Sequence, residues 1–171
     1  MIDSTQLSAL FDAHAAVLVL YARQFVSDRA AAEDAVHDAF VRLIALKESP
    51  RDPKAWLFRA VRNAAISQSR SVSRRRKREA EVSSVRREWF EHRGDDLIDA
   101  GSAQRALESL APAQREVVVL RIWARLNFQQ IADLLGLSVS SAFDRYQAAL
   151  SNLRRKLEMP RCPEPIKTNP T

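Results

Sequence analysis

Apolar residues recur along most of this chain at steps of three and four, the spacing of one face of a helix. Leu7, Leu10, Phe11, His14, Leu18, Tyr21, Ala22 and Phe25 predict a first helix from Ser4 to Phe25. Ser27-Asp28 breaks the pattern and offers an N-cap. A second helix then runs to about Leu46, with Ala35, Val36, Ala39, Phe40, Leu43 and Ile44 inward and Glu33, Asp34 and Asp38 on the other side. Asp52-Pro53 opens a third helix, Asp as cap and Pro at the first helical position. That helix carries Trp56, Leu57, Ala60, Val61, Ala64 and Ile66 and continues into Arg74–Arg78. The pattern then lapses, and residues 79–101 read as a linker with a short helix around Trp89 and Phe90 and the flexible points Gly94 and Gly101. Periodicity resumes with Ala106, Leu107 and Leu110. After the turn Ala111-Pro112 comes a helix bearing Val117, Val118, Leu120, Ile122 and Trp123.

Leu126 to Arg154 is the most specific stretch. Asn127 can cap a short helix, with Gln130 three residues on as its reciprocal partner. Ile131, Ala132 and Leu135 give that helix an apolar stripe, and Ala132 is small where two helices must cross closely. Gly136 follows, where a left-handed residue ends a helix. Ser138 caps the next helix, whose buried face is Ala142, Tyr146, Ala149 and Leu153. This is the pattern of a helix-turn-helix, whose second helix lies in the major groove of DNA. Ser140, Ser141, Phe143, Asp144, Arg145 and Gln147 lie off the buried stripe and are the candidates to reach base edges and phosphates.

Charge adds organisation to this. Net charge is +6 over 171 residues, but unevenly spread. Residues 1–50 carry 4 basic and 7 acidic side chains; residues 51–78 carry 10 and 1; residues 79–102 carry 3 and 7; residues 103–171 carry 10 and 6. The basic footprint is therefore concentrated in two places, as in a nucleic-acid-binding chain. The resulting division is 1–78, a linker 79–101, 102–158, and a tail 159–171 that is expected to be disordered, with four prolines in 13 residues. The fold class is all-α: two small helical domains joined by a flexible acidic linker, each folding by itself and loosely placed relative to the other.

Other chemistries find little support. Only 3 glycines are present, which disfavours glycine-turn folds. No unbroken run of about 18 apolar residues suggests a membrane span, and the N-terminus lacks the basic start and cleavage site of a signal peptide. Cys162 stands alone and reads as a cytosolic thiol. His14, His37 and His92 match no ligand spacing, so no metal and no cofactor are expected. Catalytic residues are not evident either, and the chain is not expected to be an enzyme.

The two halves together resemble an extracytoplasmic-function (ECF) sigma factor of the sigma-70 superfamily. AEDAVHDAFVRLIA (32–45) and DPKAWLFRAVRNAAISQSRSVSRRR (52–76) are similar to the family's region 2, and residues 106–157 to its region 4. The resemblance implies a cytoplasmic factor that carries core RNA polymerase to promoter DNA. Glu33, Asp34 and Asp38 would dock on polymerase. Trp56, Arg59, Arg62, Asn63, Arg70, Arg74, Arg75, Arg76, Lys77 and Arg78, with Phe58 as a second flat group, would handle the opened −10 element, where cations meet phosphates and flat groups meet bases. The loop Lys47–Lys54 would capture a base. The helix-turn-helix would read the −35 element, and an anti-sigma factor is a partner many family members have. One departure stands out. Where the family's recognition helix often reads Val-Lys-Ser-Arg, this chain has Ala142, Phe143, Asp144 and Arg145, and each lost cation removes about one counterion-releasing phosphate contact. Two other readings are open on the residues alone: a degenerate sigma-like regulator acting through protein contacts, and a repressor using the helix-turn-helix.

Overall fold

In a computed structural model, residues 2–79 and 105–158 are described. The described elements are helices α1 (Ser4–Ala22), α2 (Arg29–Ile44), α3 (Pro53–Glu79), α4 (Pro112–Ile122), α5 (Phe128–Leu135) and α6 (Val139–Glu158), with a further helical turn at 105–108. The linker with its expected helix at Trp89 and Phe90, and the proline-rich tail, lie outside the described residues.

Local chemistry sets the helix starts. Asp3 accepts from the Gln6 amide at 2.7 Å, Asp28 from Ala31 at 2.7 Å and Asp52 from Ala55 at 3.0 Å, each satisfying a donor that the first turn leaves unpaired. Pro112 begins α4 without needing a side-chain cap. The first helix ends at Ala22 rather than Phe25. The chain turns there, and the Phe25 amide bonds back to the Ala22 carbonyl, yet Phe25 still meets Tyr21 edge-to-face at 5.4 Å.

Helices α1, α2 and α3 form one bundle around Leu18, Tyr21, Ala35, Val36, Leu43, Leu57, Phe58, Val61 and Ala65. The inner face of α3 is thus Leu57, Phe58, Val61 and Ala65, rotated from the expected Trp56, Ala60, Ala64 and Ile66, which are half-buried. Ile44, read from the sequence as an inward residue, is 53% exposed. It lies one turn beyond Phe40, on the outer edge of the apolar stripe, while its neighbour Leu43 is buried. Helix α1 has the length and mean hydropathy (1.2) of a membrane-spanning segment. Asp12 and His14 interrupt it, however, and Leu18, Tyr21 and Ala22 anchor it in the bundle core.

The second unit packs α4 against α6 and α5 against α6. Helix α4 is buried all round from Glu116 to Leu120, as a helix must be when it has neighbours on both sides. Val118 joins Leu107, Leu110 and Ala149 within the unit, while Val117 and Leu120 join the core that α1 and α3 share. The two units are therefore in contact, α4 with α1 and α5 with α3. This differs from the loose placement that the acidic linker suggested. The physical reason is that α4 carries apolar residues on two faces, and one unit can cover only one of them.

Candidate nucleic-acid interface

Exposed positions on α3 form a cationic stripe. Arg59, Asn63, Arg70 and Arg74 follow one another at steps of four, seven and four, and all are exposed. Asn63, Arg70 and Arg74 line one open groove with Arg62, Ser67 and Ser73. Arg75, Arg76, Lys77 and Arg78 continue the same helix, and their side chains lie outside those described. Trp56 is half-buried against the core, and Phe58 is fully buried with its ring edge-to-face on Tyr21 at 5.5 Å. Phe58 is thus a core residue and cannot stack on a base.

Arg59 of the stripe and the half-buried Arg62 beside it are engaged by the second unit. Arg59 Nη2 donates to the Asp133 carbonyl of α5 at 3.0 Å. Arg62 Nε donates to Glu116 Oε1 at 2.7 Å, and the buried Tyr21 hydroxyl donates to the same oxygen at 2.7 Å. Burial pushes the Tyr21 hydroxyl well above the usual phenol value, and the Glu116 charge and hydrogen bond add to this. Burial works against the Arg62 charge, but the bond and charge of Glu116 outweigh it and hold the guanidinium above its ordinary value. A third bridge runs from Gln130 Nε2 to Asp52 Oδ2 at 2.6 Å, so the residue that caps α3 also holds α5. The loop preceding α3 shares this environment. Lys47 and Arg51 in it are exposed, whereas Lys54, in the first turn of α3, is half-buried. Burial lowers the Lys54 pKa against the attraction of Asp52, and the Arg125 charge lowers it further. Burial, with the Lys54 charge, lowers His14.

Glu116 was not legible as a functional residue. Its only signal is an acid one turn before Leu120, on what becomes a buried face.

The helix-turn-helix is built as its sequence implies. The Asn127 side chain accepts from the Gln130 amide at 2.8 Å and the Gln130 side chain from the Asn127 amide at 2.7 Å. Gly136 takes φ 67 and ψ 41, a conformation that costs residues with a Cβ about 1–2 kcal/mol. The Ser138 hydroxyl accepts from the Ser141 amide at 3.1 Å. In α5, Leu134 rather than Leu135 completes the buried stripe with Ile131 and Ala132. In α6, Ala142 and Ala149 are fully buried and Tyr146 and Leu153 partly so. Ser140, Ser141, Phe143, Asp144 and Gln147 are exposed; Arg145 is half-buried, at the side of the outward face.

A third surface lies on α2. Glu33, Asp34 and Asp38 are exposed, and Glu33 pairs with Arg29 at 2.6 Å, a contact worth a few tenths of a kcal/mol at such exposure. The same outward face ends in Val41 and Ile44, 49% and 53% exposed. Among the described residues, no three His, Cys, Asp or Glu side chains cluster as a metal site would require.

Comparison with known proteins gives one consistent result. Residues 10–76 match the family model for sigma-70 region 2, and residues 100–153 that for sigma-70 region 4. The ECF RNA polymerase sigma factor SigL of Mycobacterium tuberculosis is 29% identical over 164 residues, covering 91% of each chain. The RNA polymerase sigma-E factor of Streptomyces coelicolor is 28% identical over 143 residues, covering 82% of this chain and 79% of its own. In fold, the chain is similar to the sigma factor RpoE of Bartonella quintana, solved in complex with the anti-sigma factor NepR. The TM-score is 0.71 at 24% identity, covering 90% of this chain and 97% of that one.

Proposed function

The chain belongs to the ECF group of the sigma-70 family, and from that membership we propose how its parts divide the work of an RNA polymerase sigma factor. Residues 1–78 dock core polymerase and handle the −10 element, 79–101 connect, and 102–158 read the −35 element. Glu33, Asp34 and Asp38 meet the polymerase, where a negative stripe on a solvated helix orients and speeds encounter. The stripe Arg59, Asn63, Arg70 and Arg74, extended by Arg75–Arg78, follows the backbone of the opened strand, with Trp56 at the fork. Ser140, Ser141, Phe143, Asp144, Arg145 and Gln147 of α6 face the −35 duplex.

The observation that carries this division is the placement of charge. One three-helix unit holds an acidic outward face on α2 and a cationic stripe on α3, while the second presents a capped helix-turn-helix. The factor acts by binding, without catalysis of its own, in the cytoplasm, where its polymerase works. Regulation by an anti-sigma factor, the partner seen with the Bartonella sigma factor, belongs to the same reading. Arg62 leaves Glu116 when the promoter is engaged, because its guanidinium edge is occupied in the packed arrangement.

The test is transcription by core polymerase on a library of genomic fragments, with and without the purified chain, followed by sequencing of transcript 5′ ends. Discrete new start sites that share two spaced elements are expected. An unchanged set of starts would refute the sigma role and leave a regulator that acts through protein contacts.

A further inference from the structure

The exposed residues in the first turns of α6 include no cation. They are Val139, Ser140, Ser141, Phe143, Asp144 and Gln147. An acid at Asp144 repels phosphate, so this face is poorly suited to backbone contacts. It does carry an aromatic ring, 44% exposed, on the part of the helix that reaches base edges in a helix-turn-helix.

That ring is held in place. Phe143 meets Phe128 edge-to-face at 5.4 Å and 77°, and Phe128 meets Tyr146 at 5.6 Å and 64°. The Arg121 guanidinium lies over the Phe128 ring at 5.0 Å and is itself tied to the Leu126 carbonyl at 3.0 Å. Phe143 is therefore braced from beneath by a chain of contacts that crosses three helices, with its far side open. A pre-positioned ring loses little freedom when it makes a contact.

We propose that Phe143 is a specificity-determining residue of this chain, reading the C5-methyl group of a thymine in the −35 element. The inference rests on the reading that α6 enters that element. Its chemistry follows from what the major groove offers. Base edges there present hydrogen-bond donors and acceptors, and the thymine methyl is the one apolar group among them. Val139, 41% exposed and one turn earlier, widens the apolar edge. Gln147, exposed one turn later, supplies the amide that pairs with adenine N6 and N7. The edge thus reads A·T pairs by shape and methyl contact, where a cation would have added affinity for any sequence.

The experiment uses the full chain and duplexes selected with it from a random-sequence library. Each thymine of the selected sequence is replaced in turn by uracil, which removes only the methyl. At one position, uracil should weaken wild-type binding about fourfold, the contribution of one buried methyl-sized group. Phe143→Ala should bind the thymine duplex more weakly and no longer distinguish uracil there. Phe143→Lys should lose the same discrimination while steepening the log-log salt dependence by about 1. Wild-type binding that is indifferent to uracil at every position overturns the proposal, as does discrimination that survives in Phe143→Ala. Unchanged DNA affinity of Phe143→Ala combined with lost transcription would assign the ring to a protein contact, which overturns it too. The −35 reading itself is tested separately by Gln147→Ala and Arg145→Ala. If either weakens binding while Phe143→Ala does not, α6 still reads DNA and only the methyl contact is refuted. If none of the three has an effect, α6 is not the reading helix.

Discussion

Replacing Glu116 with alanine should loosen the packing of the two helical units more than any other single change at their boundary. One oxygen of this side chain accepts from both the Tyr21 hydroxyl and Arg62 Nε, each at 2.7 Å. The two donors fare differently when it is gone. The Arg62 side chain keeps 27% exposure and can turn its guanidinium to water. Tyr21 has no exposure, so its hydroxyl is stranded, at a cost of about 1–3 kcal/mol. Breaking a fully buried ion pair costs about 3–5 kcal/mol, and the escape of Arg62 brings the sum below that. We expect about 2–3 kcal/mol, a shift of roughly 30–150-fold in the equilibrium between packed and separated units, since about 1.4 kcal/mol is tenfold. Small-angle scattering of the full chain should show a larger radius of gyration, and urea unfolding an early loss of the contact between units. Adding Tyr21→Phe should restore about 1 kcal/mol by removing the stranded hydroxyl. A Glu116→Ala chain with the wild-type scattering curve and unfolding midpoint would refute this account of the boundary.

Reversing Glu33, Asp34 and Asp38 to lysine should abolish binding to core polymerase while circular dichroism shows intact helicity; wild-type retention in a pull-down would remove α2 from the docking surface. Replacing Arg74, Arg75, Arg76, Lys77 and Arg78 with glutamine should weaken promoter binding and flatten its log-log salt slope by at most about 4–5, and an unchanged slope would make the run a solvated helix end. The raised Tyr21 pKa makes stability depend on pH in the alkaline range. The unfolded value is about 10 and the folded one lies above it, so the contribution is whole below about pH 10 and is lost as pH rises through the folded value. Denaturation from pH 8 to 11 should therefore show a steeper decline in wild type than in Tyr21→Phe, and parallel curves would exclude Tyr21 as the titrating group.

The helix-turn-helix was legible in detail because its determinants are local. A capping box, a left-handed glycine and a serine cap each act within three or four residues, so their chemistry is written in adjacent letters. The orientation of α3 was not legible to the same degree. Trp56, Leu57, Phe58, Ala60, Val61, Ala64 and Ala65 surround much of the helix, and several faces satisfy the same periodicity. Which one turns inward is decided by α1 and α2, and that choice buries Phe58 while leaving Trp56 at the rim. Ile44 misled for the opposite reason: it fits the apolar stripe of α2 but is 53% exposed, uncovered by the other described helices. Glu116 and Tyr21 are 95 residues apart. No local rule connects a glutamate in one amphipathic pattern with a tyrosine in another, so the contact between units was invisible to periodicity and to charge counting alike.

That contact also alters how promoter binding must be reckoned. Polar bridges from Tyr21 and Arg62 to Glu116, Arg59 to the Asp133 carbonyl and Gln130 to Asp52 accompany the apolar contact of Val117 and Leu120 with the core of the first unit. On the proposed division of labour, the groups they occupy belong to the −10 surface: Arg59 of the α3 stripe, Arg62 beside it, and the cap of α3 itself. Promoter engagement and packing of the units therefore draw on the same side chains. If only separated units can present Arg62 fully, the apparent dissociation constant for DNA is the intrinsic one divided by the fraction of separated chains. A packing preference of about 2 kcal/mol then weakens apparent affinity roughly 30-fold. Under the proposed docking on α2, polymerase would leave these bridges untouched, since Glu33, Asp34 and Asp38 are exposed on a different helix. On that proposal docking would precede separation, and the energy that releases Arg62 would come from contacts made only once the chain is bound beside its promoter.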